Sequence, residues 1–262
     1  MTVDDQAKMP FLAHLAELRG CLARAGIGIF VCSLVSFAWA SELFAFLTSP
    51  LRAYFVDADL IGTGPAEAFL VKLKAALVAG LIVSSPYSFF ELWRFVAPGL
   101  YQNERKIALP FVFASTVCFL TGISFCFYVL FPFAFQFFEG EFVSIGIKPQ
   151  IRIGEYLTFV VKLLLVFGLV FELPILSFFL ARLRLLHHRW LLKNGRFAVI
   201  AIFVIAAILT PPDVITQVLL ALPLLVLYGI CIGIAYVVNP ESRKTPAKPP
   251  TVEPPAGTVP KR

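Results

Sequence analysis

Four carboxylates stand where an otherwise apolar chain has least reason to keep them. Glu17 lies in HLAELRG and Glu104 in FVAPGLYQNERK, both among basic residues. Glu172 falls inside the apolar run FGLVFELPILSFF, and Asp213 follows two prolines in LTPPDVITQ. A charged side chain at the centre of a membrane helix costs at least about 2.5 kcal/mol, so Glu172 must face protein or a water-filled cavity. It reads either as a carboxyl that fastens two helices or as a contact for a partner or substrate. Glu17 is one helical turn from His14 and from Cys21 and two residues from Arg19, so no lysine or arginine neutralises it at helical spacing. Glu104 adjoins Arg105, and adjacent helical residues do not face each other. Two such acids beside a basic surface can receive a cationic ligand, although solvated helix-end charges have the same spacing. Asp213 precedes an apolar helical run, the favoured place for an N-cap. With Gln217 one turn on, it also fits a partner contact. Lys162 stands ten residues before Glu172, about 15 Å along a helix, too far to pair with it. It either snorkels outward or has a role of its own.

The elements that position these groups follow from composition. Of 262 residues, 59% are hydrophobic and 15% charged, against about 25% charged in soluble domains, and the mean hydropathy is +0.87. Residues 107–138 and 214–239 contain no Asp, Glu, Lys or Arg. Uncharged runs of about 20 residues read as membrane spans. The chain is therefore expected to be an all-α integral membrane protein with six transmembrane helices, at about 22–40, 69–94, 108–133, 154–181, 196–210 and 213–237. Residues 1–21 form an amphipathic segment before the membrane domain of 22–238, and the Pro-rich residues 239–262 have the composition of a disordered tail. The start has two acids and one lysine before any apolar run, so no secretory signal is read there and the first span is expected to be retained.

Basic residues set the orientation. Arg182, Arg184, Arg189, Lys193 and Arg196 crowd one short connection, and Arg94, Arg105 and Lys106 another, whereas acids favour the opposite side. The positive-inside rule then puts both termini in the cytoplasm. Within the first long outer loop, Leu43, Phe44, Phe46, Leu47 and Leu51 have helical spacing, which predicts a short helix over the outer face of the spans. The fifth apolar run, 197–210, covers only about 21 Å of a ~30 Å hydrocarbon core. Its hairpin either stops part-way or thins the bilayer around it. Pro174, two residues after Glu172, predicts a kink in the fourth span.

Enzyme chemistry finds little support. The five cysteines lie in or beside apolar stretches without CxxC spacing and read as small buried hydrophobes. His187 and His188 are adjacent rather than i, i+4, and no serine or cysteine sits near a base. No catalytic residue, metal or cofactor is expected. Gly229 and Gly233 form a lone GxxxG, a weak sign of close helix packing. A small-solute or ion secondary transporter, coupled through Glu172, Lys162 and Asp213, is the alternative; it is disfavoured by the lack of internal repeats.

HLAELR (14–19), SPL (49–51), FVAPGLYQNER (95–105), FELP (171–174) and LTPPDVITQ (209–217) together resemble the TatC family, the polytopic core of the twin-arginine protein translocase. The resemblance covers roughly residues 9–238. It implies six helices in a concave, glove-like arrangement, short fifth and sixth helices and cytoplasmic termini in the bacterial inner membrane. It implies export of folded proteins by the proton-motive force, without ATP or nucleic acid. By the same resemblance Glu17 and Glu104 receive the arginine pair of a signal peptide, with Phe95 in support and Arg19 in the same motif. Glu172 then lies in the concave face near the signal's apolar region, and Pro50, Asp213 and Gln217 matter for function, the last two through partners. Those partners are single-span subunits of TatB and TatA type in a hetero-oligomer of several copies. The chain departs from many relatives in having Gly20 and Cys21, rather than a further base, after Arg19.

Overall fold

The computed structural model describes residues 3–55, 59–96, 108–210 and 213–239, with side chains from Leu15 onward except at Asp59, Val96 and Ala108. Glu104 and residues 240–262 lie outside them. The first three helical columns are longer than the spans expected from their apolar runs. The first, α1 (Val3–Phe37), is continuous through the amphipathic segment and the first span. Then come α2 (Ala40–Tyr54), β1 (Asp59–Ile61) and α3 (Glu67–Val96). The third column joins α4 (Ala108–Phe125), a π-helical turn at Cys126–Leu130 and α5 (Phe131–Ser144). After β2 (Gln150–Arg152), the fourth is α6 (Ile153–Val170) followed by α7 (Leu173–Arg182). The short α8 (His188–Lys193), α9 (Gly195–Leu209) and α10 (Val214–Val238) complete the order. Five helical columns are long and apolar enough to cross a membrane among the described residues, and α9 is the shorter sixth.

At one end, hereafter the strand end, β1 pairs in parallel with β2, Leu60 opposite Ile151, and so ties two long loops together. There α2 packs on α3 and α5, burying Leu47 and Leu51 as their spacing predicts. Pro50 is buried inside α2 and has no N–H for the Phe46 carbonyl four residues back. The Ser49 hydroxyl donates to that carbonyl instead, at 2.7 Å. Leu157, Val160, Leu163, Leu164 and Phe167 of α6 are buried at the centre, against Phe131.

Among lipid tails, helices gain little by hiding apolar surface from one another, so close packing carries more of the association. Two glycines show how close it is. A Cβ on Gly80 of α3 would overlap the Ser33 backbone in α1, and one on Gly122 of α4 would lie 2.5 Å from the Phe167 carbonyl oxygen in α6. Gly229 and Gly233 differ: nothing within the described chain approaches either position. Their GxxxG is not an internal packing face.

Candidate functional site

α1 and α3 run antiparallel, so the start of one lies beside the end of the other, at the end opposite the strands. Arg24 of α1 and Glu91 of α3 meet there, with Arg24 Nε donating to Glu91 Oε2 at 2.7 Å. One turn on, Arg94 reaches the same oxygen at 3.3 Å. Glu91 is 2% exposed, whereas both arginine side chains reach solvent. The Cys21 thiol donates to the Glu91 carbonyl at 3.1 Å and closes the junction from below.

This cluster forms one wall of a cavity of about 530 Å³ lined by Ala16, Glu17, Gly20, Cys21, Arg24, Arg94 and Phe95. The structure thus brings Glu17 and Phe95, 78 positions apart in the chain, to one opening. Glu17 and Arg19 are exposed on α1, and Phe95 is half-buried at the end of α3. Gly20 lines the same opening.

Glu91 is the residue that sequence reasoning overlooked. It lies behind the lining and holds Arg24 by a charge-assisted hydrogen bond and Arg94 by an ion pair. The electrostatic consequence is direct. Two arginines facing the cavity without it would repel a cationic ligand; Glu91 offsets one of their two charges, and the Glu17 carboxylate brings a second negative charge to the opening.

Glu172 occupies the break between α6 and α7, where two residues leave the helix and Pro174 opens the next one. The helix is interrupted where Pro174 predicts a kink. One carboxyl oxygen of Glu172 is buried without a hydrogen-bond partner among the described residues. Ser115 of α4 faces this carboxyl, and the Trp93 indole donates to the Ser115 hydroxyl at 3.0 Å. Next to it, Pro110, Phe111, Cys118, Ile175, Phe178 and Ile234 line an apolar cleft of about 540 Å³ between α4, α7 and α10. Glu172 and Glu17 are therefore separate features, joined through α3, which carries both Trp93 and Phe95.

Asp213 and Gln217 have structural duties at the strand end. Asp213 caps α10, its Oδ1 accepting from the Thr216 amide at 2.7 Å and its Oδ2 from the Thr216 hydroxyl. Gln217 donates from Nε2 to the Phe203 carbonyl at 3.0 Å and stitches α10 to α9. Lys162 is exposed on α6 and lines a different cavity, at the strand end. All five cysteines are free thiols.

The chain is similar to known proteins in sequence and in fold. Residues 13–223 match the family model described as Sec-independent protein translocase protein (TatC). The chain is 43% identical over 229 residues to the Sec-independent protein translocase protein TatC of Desulforapulum autotrophicum, covering 87% of this chain and 84% of that one. It is 40% identical over 227 residues to the protein of the same description from Helicobacter pylori strain J99, covering 87% and 89%. A crystal structure described as the twin arginine translocase receptor TatC superposes with a TM-score of 0.80 at 33% identity, over 86% of this chain and 99% of that one.

Proposed function

The chain belongs to the TatC family of Sec-independent protein translocase proteins, and on that premise we propose that it is the membrane receptor for twin-arginine signals on folded cargo. It is a multi-pass membrane component of the twin-arginine translocase. Its termini lie in the cytoplasm and the bilayer is the bacterial inner membrane, as the basic connections favour. It acts as a non-enzymatic scaffold, and the proton-motive force drives export.

The observation that carries this reading is the cavity shared by Glu17 and Phe95, walled by arginines whose charge Glu91 partly offsets. The signal's guanidinium pair meets Glu17 there and Glu104 from the adjoining loop, with Arg19 orienting the α1 surface. A guanidinium presents a planar fork to a carboxylate, and lysine keeps the charge but loses that bidentate geometry. Truncating one partner of a desolvated interfacial pair costs about 2–5 kcal/mol. The signal's apolar segment then runs along the cleft beside Glu172. Single-span TatA- and TatB-type subunits engage the Glu172 face and the Asp213–Gln217 hairpin, with Pro50 holding α2 in the shape they meet.

Crosslinkers placed beside Glu17 and Glu104 test the site. A signal peptide with its arginine pair is expected to crosslink at both, and the lysine-pair version much less. Equal yields from the two peptides would remove the arginine-binding assignment. Glu17→Ala should weaken capture while the protein still inserts and accumulates; loss of the protein itself would make Glu17 structural.

A further inference from the structure

The strand end holds a second charged cavity, remote from Glu17. It has a volume of about 480 Å³ and opens between α3, α6 and the end of α9. Lys74, Lys162 and Arg152 line it with two acids, Glu67 and Glu155. Both acids are engaged. Glu67 accepts from the amides of Thr63, Gly64 and Gly154 and from the Thr63 hydroxyl, and Glu155 pairs with Arg152 at 3.0 Å. Lys74 gives one hydrogen to Thr158 Oγ1 at 2.7 Å, which leaves two of its three donors. Among the described residues, neither Lys74 nor Lys162 forms an ion pair.

Their depth makes this consequential. Lys74 lies about 10 Å along α3 from its first residue, and Lys162 about 14 Å along α6. Apolar Leu70, Phe159, Ile208 and Leu209 line the same cavity, and ammonium groups so placed need an anion or water. The short α9 supplies the other half of the argument. Its 15 residues rise about 22 Å, short of the ~30 Å apolar core. Because Ile208, Leu209 and Thr210 sit beside Lys162, the shortfall falls at this end. A headgroup layer that dips toward Thr210 to meet the short helix would carry lipid phosphates down to the two lysines.

We propose that this cavity is a phospholipid site: a phosphodiester of the adjoining leaflet seats between Lys74 and Lys162, with acyl chains running over Leu70, Phe159 and Ile208. Three cations against two acids favour an anionic headgroup over a zwitterionic one. The bound lipid would fill the gap left by the short helix.

Native mass spectrometry of the full chain in neutral detergent, with equal phosphatidylglycerol and phosphatidylcholine added, tests this. The parent should retain phosphatidylglycerol in preference, and K74Q/K162Q should retain at least ten-fold less. Lys148→Gln, an exposed lysine outside the cavity, should behave as the parent. If the double variant melts lower without lipid, the exposed Lys162→Gln alone carries the comparison, with a several-fold loss expected. Unchanged retention in the lysine variants, or equal retention of the two lipids, overturns the proposal. Millimolar inorganic phosphate that displaces the lipid completely makes this a free-anion site and overturns it too. So does a variant that keeps lipid but loses a copurifying single-span subunit, which would assign the lysines to a protein carboxylate.

Discussion

The two ends of α3 handle charge in opposite ways. At its final turns a buried acid, Glu91, gathers two cations, Arg24 and Arg94, and the chain satisfies all three by itself. At its first turns the acid, Glu67, is taken up by backbone amides of the neighbouring loop and of α6. Among the described residues, no acid pairs with the cations Lys74 and Lys162. The same helix thus presents an end whose cations are ion-paired to a buried acid and an end beside which two lysines form no ion pair among the described residues. A receptor for a dicationic peptide needs the first kind of end. The second kind suits an anion, and a phosphate-bearing membrane surface is the nearest source.

Removing Glu91 is the most severe way to break this contrast. Loss of one partner of a fully buried pair costs about 3–5 kcal/mol, and exposed pairs contribute about 0–1. Glu91 is buried while its arginines touch water, so Glu91→Ala should destabilise by about 2 kcal/mol in a detergent melt. Capture of the twin-arginine signal should fall by at least ten-fold, because two unmatched arginines then face the cavity. Glu91→Gln keeps the shape and should lose capture with less loss of stability. Adding R24Q and R94Q to it should restore much of the capture, since no wall cation is then left unmatched. If the triple variant binds no better than Glu91→Gln alone, the charge-matching account fails and Glu91 is only a clamp between α1 and α3.

That Glu91 was not legible in the sequence, while Glu172 and Asp213 were, has a physical cause. Glu172 announces itself through local pattern: an acid within an apolar run, two residues before a proline. Asp213 does so as the residue before a helical run. The kink and the cap follow from neighbours within a few positions. Glu91 shares its last helical turn with Arg94 and passes for an ordinary i, i+3 pair. Its stronger partner, Arg24, is 67 residues away, and only the antiparallel packing of α1 and α3 joins them. Sequence carried one usable signal, an arginine near the start of the first span and an acid near the end of the second, at matching distances from the same membrane face. The strand-end cavity was hidden for the same reason, since Lys74 of α3 is far in sequence from Arg152 of β2 and Lys162 of α6. The shortfall of α9 was legible because length alone determines it. Glu17 and Phe95 were tied by resemblance, and their shared cavity became visible only once the two helices were placed.

At the strand end, removing Glu67 should act in a different sense. Glu67→Gln keeps some acceptor capacity but no charge, so the loop that it holds against α6 should loosen locally. The expected readout is faster amide exchange at residues 63–64 and 154, with little change in signal capture, because the Glu17 cavity is at the other end of α3. A loss of capture as large as that of Glu91→Gln would mean that the two ends are coupled and would erase the contrast between them.

The smallest effect separates the two readings of Asp213. Its carboxylate caps α10 through the Thr216 amide, and aspartate and asparagine are nearly equal as N-caps, whereas alanine costs about 1 kcal/mol. Asp213→Ala should therefore lower stability by about that amount, and Asp213→Asn by only a few tenths. If the residue serves the hairpin alone, assembly with single-span subunits should follow stability and leave the asparagine variant near the parent. If a partner reads the charge, Asp213→Asn should copurify less partner at unchanged melting temperature. Gln217 offers the matching control at the same hairpin. Gln217→Glu replaces its Nε2 donor with an acceptor and so loses the bond to the Phe203 carbonyl. Its effect should therefore register in stability before it registers in assembly. An asparagine variant that melts as low as the alanine variant would show that the negative charge, rather than the hydrogen bond to Thr216, is what holds the start of α10.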